Sequence, residues 1–159
     1  RQAQLDLAEL PPPYRDPETI HRYNEPAARF FPNATVTTSR GCSFQCTFCI
    51  EASLNYGSTS RFRYRPLEKV RDEILCLVEQ HGVREIFFDD AFLTGRRALE
   101  VAEMMESLPV RLNWSCWIDR GVPEDTLERM KKAGCSGVKF GVETFDPYIG
   151  PAQCRRSAG

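Results

Sequence analysis

No stretch of this 159-residue sequence is apolar for long enough to cross a bilayer, and nothing at its start reads as a signal peptide. Charge of neither sign dominates. With 21 Lys and Arg against 22 Asp and Glu the net charge is −1, so there is no overall electrostatic attraction to nucleic acid or a membrane surface. Histidine is scarce: His21 and His81 are the only two, and neither stands at a finger-like spacing from cysteines. The seven cysteines are an odd number and cannot all pair internally; without a secretory signal, reduced thiols in a cytoplasmic setting are expected. Internal repeats and low-complexity tracts are absent. The chain opens on Arg1 rather than methionine, which leads us to expect a fragment or a processed product. What is present is a globular composition, 42% hydrophobic and 27% charged, long enough for one domain with a substantial core.

Prolines organise the first part of the chain. Pro11, Pro12 and Pro13, then Pro17, Pro26 and Pro32, forbid long helices, so residues 1–32 read as a connector. The pattern then alternates. Ala34–Ser39 reads as a strand, and Pro66–Gln80 as a helix with Val70, Ile74, Leu77 and Val78 on one face and Gly82 ending it. Glu85–Asp89 is a short apolar run of the parallel-strand kind. Thr94–Leu108 reads as a helix with Thr94 as N-cap and Pro109 as its stop, Arg111–Ile118 as a strand, Pro123–Ala133 as a helix ended by Gly134, and Gly137–Glu143 as a fourth strand. This β-α-β-α-β-α-β order predicts an α/β fold with a parallel sheet and helices packed outside it. The tail, residues 148–159, has little apolar content and is expected to fray.

Three of these strands alternate apolar and polar residues. Val138, Phe140 and Val142 alternate with Lys139, Gly141 and Glu143; Leu112, Trp114, Cys116 and Ile118 alternate with Asn113, Ser115, Trp117 and Asp119. Ala34 and Val36 do the same with Thr35, Thr37 and Ser39. The apolar faces are expected to meet the helices, leaving a polar concave side where an ordinary β/α barrel is filled with Val, Ile and Leu. Lys139, if inward, needs an acidic partner such as Asp119 or Glu143.

The stretch TSRGCSFQCTFCI, residues 38–50, gathers Cys42, Cys46 and Cys49 with no fourth soft ligand nearby. A structural zinc site usually takes four ligands. Thiolates also hold iron–sulfur clusters, where three cysteines on four irons leave one iron free for a reacting ligand. The incomplete set therefore favours chemistry over scaffolding, with structural zinc as the alternative. Asp89, Asp90, Arg120 and Glu143 lie at or just past the C-terminal ends of the expected strands, the side where β/α folds build their sites. The plainer reading of each is a loop charge or a helix-start acid. Cys76, Cys116, Cys135 and Cys154 read as buried hydrophobes or incidental thiols. Arg61–Arg71, RFRYRPLEKVR, interleaves basic and aromatic residues, but Glu68 and neighbouring acids dilute it, and a solvated loop is the better reading.

The Cys-x3-Cys-x2-Cys spacing after a first strand, with Phe48 just before the last cysteine, resembles the radical S-adenosylmethionine (radical SAM) superfamily. TSRGCSFQCTFCI, EIFFDDAFL and AGCSGVKFGVET together resemble its cobalamin-binding branch, over about Leu5–Pro147. The resemblance implies a partial (β/α) barrel, of which about four β/α units of an expected six fall within residues 33–147, and a connector joined to an upstream cobalamin domain. It implies that Cys42, Cys46 and Cys49 bind a [4Fe–4S] cluster whose fourth iron takes S-adenosylmethionine, which one electron cleaves to methionine and a 5′-deoxyadenosyl radical. It places Phe48 near the adenine, and Asp89 and Asp90 where a polar group meets the amino end of S-adenosylmethionine. Arg120 and Glu143 fall at further cofactor contacts. The implied partners are a small-molecule substrate and an electron donor such as flavodoxin or ferredoxin. The implied reactions are methyl transfer or carbon-skeleton modification. A methylthiotransferase acting on transfer RNA through Arg61, Arg63 and Arg65, a structural metal module and an inactive remnant are the alternatives.

Overall fold

Hydrophobic runs separated by amphipathic segments become, in the computed structural model, one parallel sheet with helices on its outer face; the structure describes residues 6–44, 46–51 and 62–146. The sheet is formed by β1 (Asn33–Val36), β4 (Glu85–Leu93), β5 (Asn113–Ile118) and β6 (Cys135–Lys139), adjacent in that order and parallel throughout. A two-stranded antiparallel ribbon, β2 (Ser39–Arg40) with β3 (Arg63–Tyr64), stands beside it. The helices are α1 (Leu67–His81), α2 (Gly95–Glu106) and α3 (Glu124–Lys132).

The helix ends follow from local chemistry. Pro66 precedes the first turn of α1, and Gly82 ends the helix in the left-handed region at φ 63°, its N–H donating to the Val78 carbonyl while Val83 N–H reaches Leu77. Thr94 caps α2 by accepting from Arg97 N–H. Beyond α3, Gly134 has φ 97°, and a Cβ there would stand 2.5 Å from the Leu112 carbonyl oxygen, so the turn into β6 requires glycine. The core lies between sheet and helices. Ile86, Phe88, Trp114 and Cys116 of the strands meet Val70, Ile74, Ala98 and Val101 of the helices, all fully buried. The Trp114 indole N–H donates to the Ala133 carbonyl, which satisfies the one polar atom of this side chain.

Several expectations require correction. The first strand does not run to Ser39: it ends at Val36, and Ser39 begins β2 because Thr38 turns its N–H to the Asp90 carboxylate instead of the sheet. The second strand runs to Leu93 instead of stopping at Asp89. Between Phe88↔Cys116 and Leu93↔Ile118 its register slips, so five residues on β4 span what two span on β5. That bulge reverses the in–out alternation, which is what bulges near sites commonly do. The fourth strand is Cys135–Lys139, ahead of the expected 137–143. Val138, Phe140 and Val142 are exposed instead of covered, because β6 is the edge of the sheet and no helix follows it among the described residues. Lys139 takes neither Asp119 nor Glu143. Its ammonium pairs with Glu25 at 2.8 Å and lies over the Phe87 ring.

The Pro-rich segment is packed down. Leu7 and Ile20 are buried, and Arg15 donates to the Thr35 carbonyl and pairs with Glu73 of α1. Glu85 accepts from the backbone N–H groups of Arg29 and Phe30. Residues 148–159, expected to fray, lie outside the described residues, as does Cys154. No described helix is long and apolar enough to cross a membrane.

Candidate active site

At the C-terminal ends of the sheet strands the chain encloses a cavity of about 710 Å³. Cys42, Cys46 and Cys49 form part of its wall, each half-buried and none in a disulfide. The loop that carries them is turned locally: Cys49 N–H donates to the Cys46 carbonyl, and Phe44 N–H donates to the Cys42 sulfur at 3.3 Å. Burial pushes the Cys42 thiol up; the Phe44 N–H acts against this, while Cys49, Glu51 and Asp119 add to it. A thiol held protonated in the metal-free protein has to release that proton on binding a metal.

The rest of the wall comes from strand ends. β4 gives Ala91 and Phe92, β5 gives Trp117 and Ile118, and the segments that follow β5 and β6 give Asp119, Arg120 and residues 141–146. Phe48, Arg120 and Glu143, three of the five residues expected to contact a cofactor, thus share the cavity with the triad. Glu143 is held at φ 60°, a left-handed conformation rare for a residue with a side chain, and its carboxylate lies over Gly141, where any Cβ would displace it.

Asp89 and Asp90 do not join them. Asp89 is exposed on β4 and is not among the cavity-lining residues. Asp90 is buried in the other direction, its carboxylate taken by Thr38 and Ser39, on the same face of β4 as the core residues Ile86 and Phe88. Phe44, Phe92, Trp117 and Asp119 are among the wall residues that sequence reasoning did not select as site residues. Phe44 sits inside the cysteine motif, and its proximity to the site was readable there. Phe92 was hidden because the expected strand stopped at Asp89, short of the register slip that leaves Phe92 facing the cavity.

Among the other expectations, Cys116 is buried in the core with Cys135 packed beside it, and Cys76 is exposed on α1. The hydrogen bond with Cys135, then burial, push the Cys116 thiol far up. Arg65 is unavailable to an outside ligand, since its guanidinium pairs with Glu73 at 2.7 Å and donates to the Thr37 carbonyl. Arg61 lies outside the described residues.

The sequence matches the Radical SAM superfamily over residues 36–158. The chain belongs to the radical SAM superfamily. It is 33% identical over 147 residues to an uncharacterized methyltransferase of Pyrococcus horikoshii, covering 91% of this chain and 31% of that protein. It is 26% identical over 138 residues to the bacteriochlorophyllide d C-12(1)-methyltransferase of Chlorobaculum tepidum, covering 84% of this chain and 30% of the relative. The chain therefore spans about a third of the length of these curated relatives. In fold it is similar to the cobalamin-dependent S-adenosylmethionine radical enzyme OxsB, with a TM-score of 0.54 and 18% identity over 72% of this chain and 19% of that one. The sheet of four parallel strands is compatible with part of such a barrel.

Membership in the radical SAM superfamily implies an iron–sulfur cluster, and the residues present fit one. The donors are three thiols, none in a disulfide, that line one cavity together with aromatic side chains. Among the described residues no three thiols, imidazoles or carboxylates converge on a point where one ion could sit.

Proposed function

We propose that this chain carries the cluster-binding part of a cobalamin-dependent radical SAM enzyme that transfers a methyl group to, or rebuilds the carbon skeleton of, a small molecule. One observation supports this reading above the others: Cys42, Cys46 and Cys49 share a single cavity with Phe48, Arg120 and Glu143. Cys42, Cys46 and Cys49 would hold the [4Fe–4S] cluster. When bound, that cluster supplies the electron that splits S-adenosylmethionine into methionine and a 5′-deoxyadenosyl radical.

The residues of the chain do the binding and shielding. Phe48 and Trp117 offer ring faces for a purine, and Glu143 and Asp119 offer carboxylates to an ammonium or to ribose hydroxyls. Arg120 suits a carboxylate. Phe44 and Phe92, with ring centroids 5.2 Å apart, make this part of the cavity wall apolar and limit the access of water. Cobalamin enters the reading through the relatives, and its site would lie outside the described residues. A one-electron donor of the flavodoxin or ferredoxin kind and a cytoplasmic, reducing setting suit cysteines that form no disulfide.

The test is product analysis. Anaerobically reconstituted protein with dithionite and S-adenosylmethionine is expected to release 5′-deoxyadenosine, and Cys46→Ala to release none. Cluster-loaded wild type that forms no 5′-deoxyadenosine would contradict the proposal and favour an inactive remnant.

A further inference from the structure

Beside the site lies a buried, hydrogen-bonded carboxylate, Asp90, which is only 3% exposed. Its Oδ1 accepts from Thr38 N–H at 3.0 Å, from the Thr38 hydroxyl at 3.1 Å and from the Ser39 hydroxyl at 2.5 Å, and its Oδ2 lies 3.1 Å from the same Thr38 N–H. Arg97 of α2, 6% exposed, closes on Thr38 from the opposite side. Its Nε donates to the Thr38 hydroxyl at 3.1 Å and its Nη2 to the Thr38 carbonyl at 3.0 Å, with the Arg65 carbonyl taking a further bond. The Thr38 hydroxyl thus donates to Asp90 and accepts from Arg97. Thr38 itself is fully buried. Every polar atom of this residue is engaged, and Cys42 follows four positions later.

The same two elements hold the loop a second time, further along. Arg97 lies over the Tyr64 ring at 5.0 Å, Tyr64 stacks on Phe62, Phe62 meets Phe92 edge-on at 5.4 Å, and Phe92 meets Phe44 between the first two cysteines. Phe92 and Asp90 both sit in the bulge of β4. β4 thus sets one side chain, Asp90, at the approach to the loop and another, Phe92, against its interior.

We propose that Asp90 and Arg97 are positioning residues that fix the cysteine loop through Thr38, so that the three thiols face the cavity before any cluster is bound. Asp90 then contacts no cofactor. An isolated carboxylate is costly to bury, and the hydrogen bonds to Thr38 and Ser39 are what it is buried for. In Asp90→Asn the three donors on Oδ1 lose the negative charge they converge on, and an amide nitrogen in the place of Oδ2 opposes the Thr38 N–H; in Thr38→Val the shared hydroxyl is lost.

The inference rests on the triad being the cluster site, but its test does not need a cluster. Metal-free protein is alkylated with iodoacetamide under reducing conditions, and the rate at each cysteine is followed by peptide mass spectrometry. In Asp90→Asn and in Thr38→Val the rates at Cys42, Cys46 and Cys49 are expected to rise about threefold to tenfold, the range set by one lost hydrogen bond. Exposed Cys76 keeps its rate and buried Cys116 stays protected. Thr38→Ser, which restores the hydroxyl, returns the triad to wild-type rates. Unchanged rates at the triad would overturn the proposal, as a direct cofactor contact by Asp90 requires. A parallel rise at Cys116 would also overturn it, by showing general unfolding. Failure of wild type to take up a cluster would defeat the functional reading and leave this result intact.

Discussion

Asp90 is the residue at which sequence and structure part most sharply, and the reason is electrostatic as well as geometric. Burial pushes its carboxyl above the ordinary 3.8, against the hydrogen bonds from Ser39 and Thr38, which favour the ionised form. An acid raised in the folded state keeps its proton where the unfolded chain has lost it. Its contribution to stability is therefore largest at low pH and declines as pH rises from about 3.8 through the raised folded value. Asp90→Asn lacks this decline. Urea unfolding across acidic to neutral pH is expected to show the stability of wild type relative to Asp90→Asn falling with pH; a rise would contradict the assignment. The three cysteines, Phe48, Arg120 and Glu143 were legible because each sits in a motif or at a strand end, and the cavity lining includes all six. Asp89 and Asp90 were expected at the site from their place at a strand end, whereas the cavity lining includes neither; Phe92 was missed because the expected strand stopped at Asp89, short of the register slip.

At the scale of elements, legibility followed how local the cause is. α1, α2 and α3 fall within a residue or two of expectation because Pro66, Thr94, Gly82 and Gly134 act on their own turns. Strand ends depend on partners distant in sequence: β1 stops where Asp90 captures Thr38, and β6 ends early at the sheet edge. Gly134 is the sharpest test of a local cause. Its φ of 97° and the 2.5 Å approach of a Cβ to the Leu112 carbonyl leave alanine both strained and crowded. Gly134→Ala is expected to cost about 1–3 kcal/mol in urea unfolding. A loss below about 0.5 kcal/mol would show that the α3–β6 turn adopts another conformation.

The whole molecule is held by contacts that join its first thirty residues to the sheet and helices. Glu73, 5% exposed, pairs with Arg15 at 2.8 Å and Arg65 at 2.7 Å, linking the Pro-rich segment, α1 and the residue after β3 in one buried cluster. Removing the carboxylate leaves two guanidinium groups facing each other, so Glu73→Ala is expected to lose about 3–5 kcal/mol and to open the Pro-rich segment to proteolysis. Unchanged stability and protease resistance would contradict this account. The same segment supplies Glu25 to Lys139 beneath the concave face, which places it as part of the fold as well as a connector. The edge strand β6 and the residues after it leave Val138, Phe140 and Val142 exposed.

The central claim, that the triad holds a cluster with a position open to S-adenosylmethionine, is tested most directly by electron paramagnetic resonance of the anaerobically reconstituted, dithionite-reduced protein. A [4Fe–4S]⁺ signal that changes shape when S-adenosylmethionine is added, and is absent from Cys46→Ala, is the predicted result. Stoichiometric zinc with no such signal, or a cluster signal indifferent to S-adenosylmethionine, would contradict it.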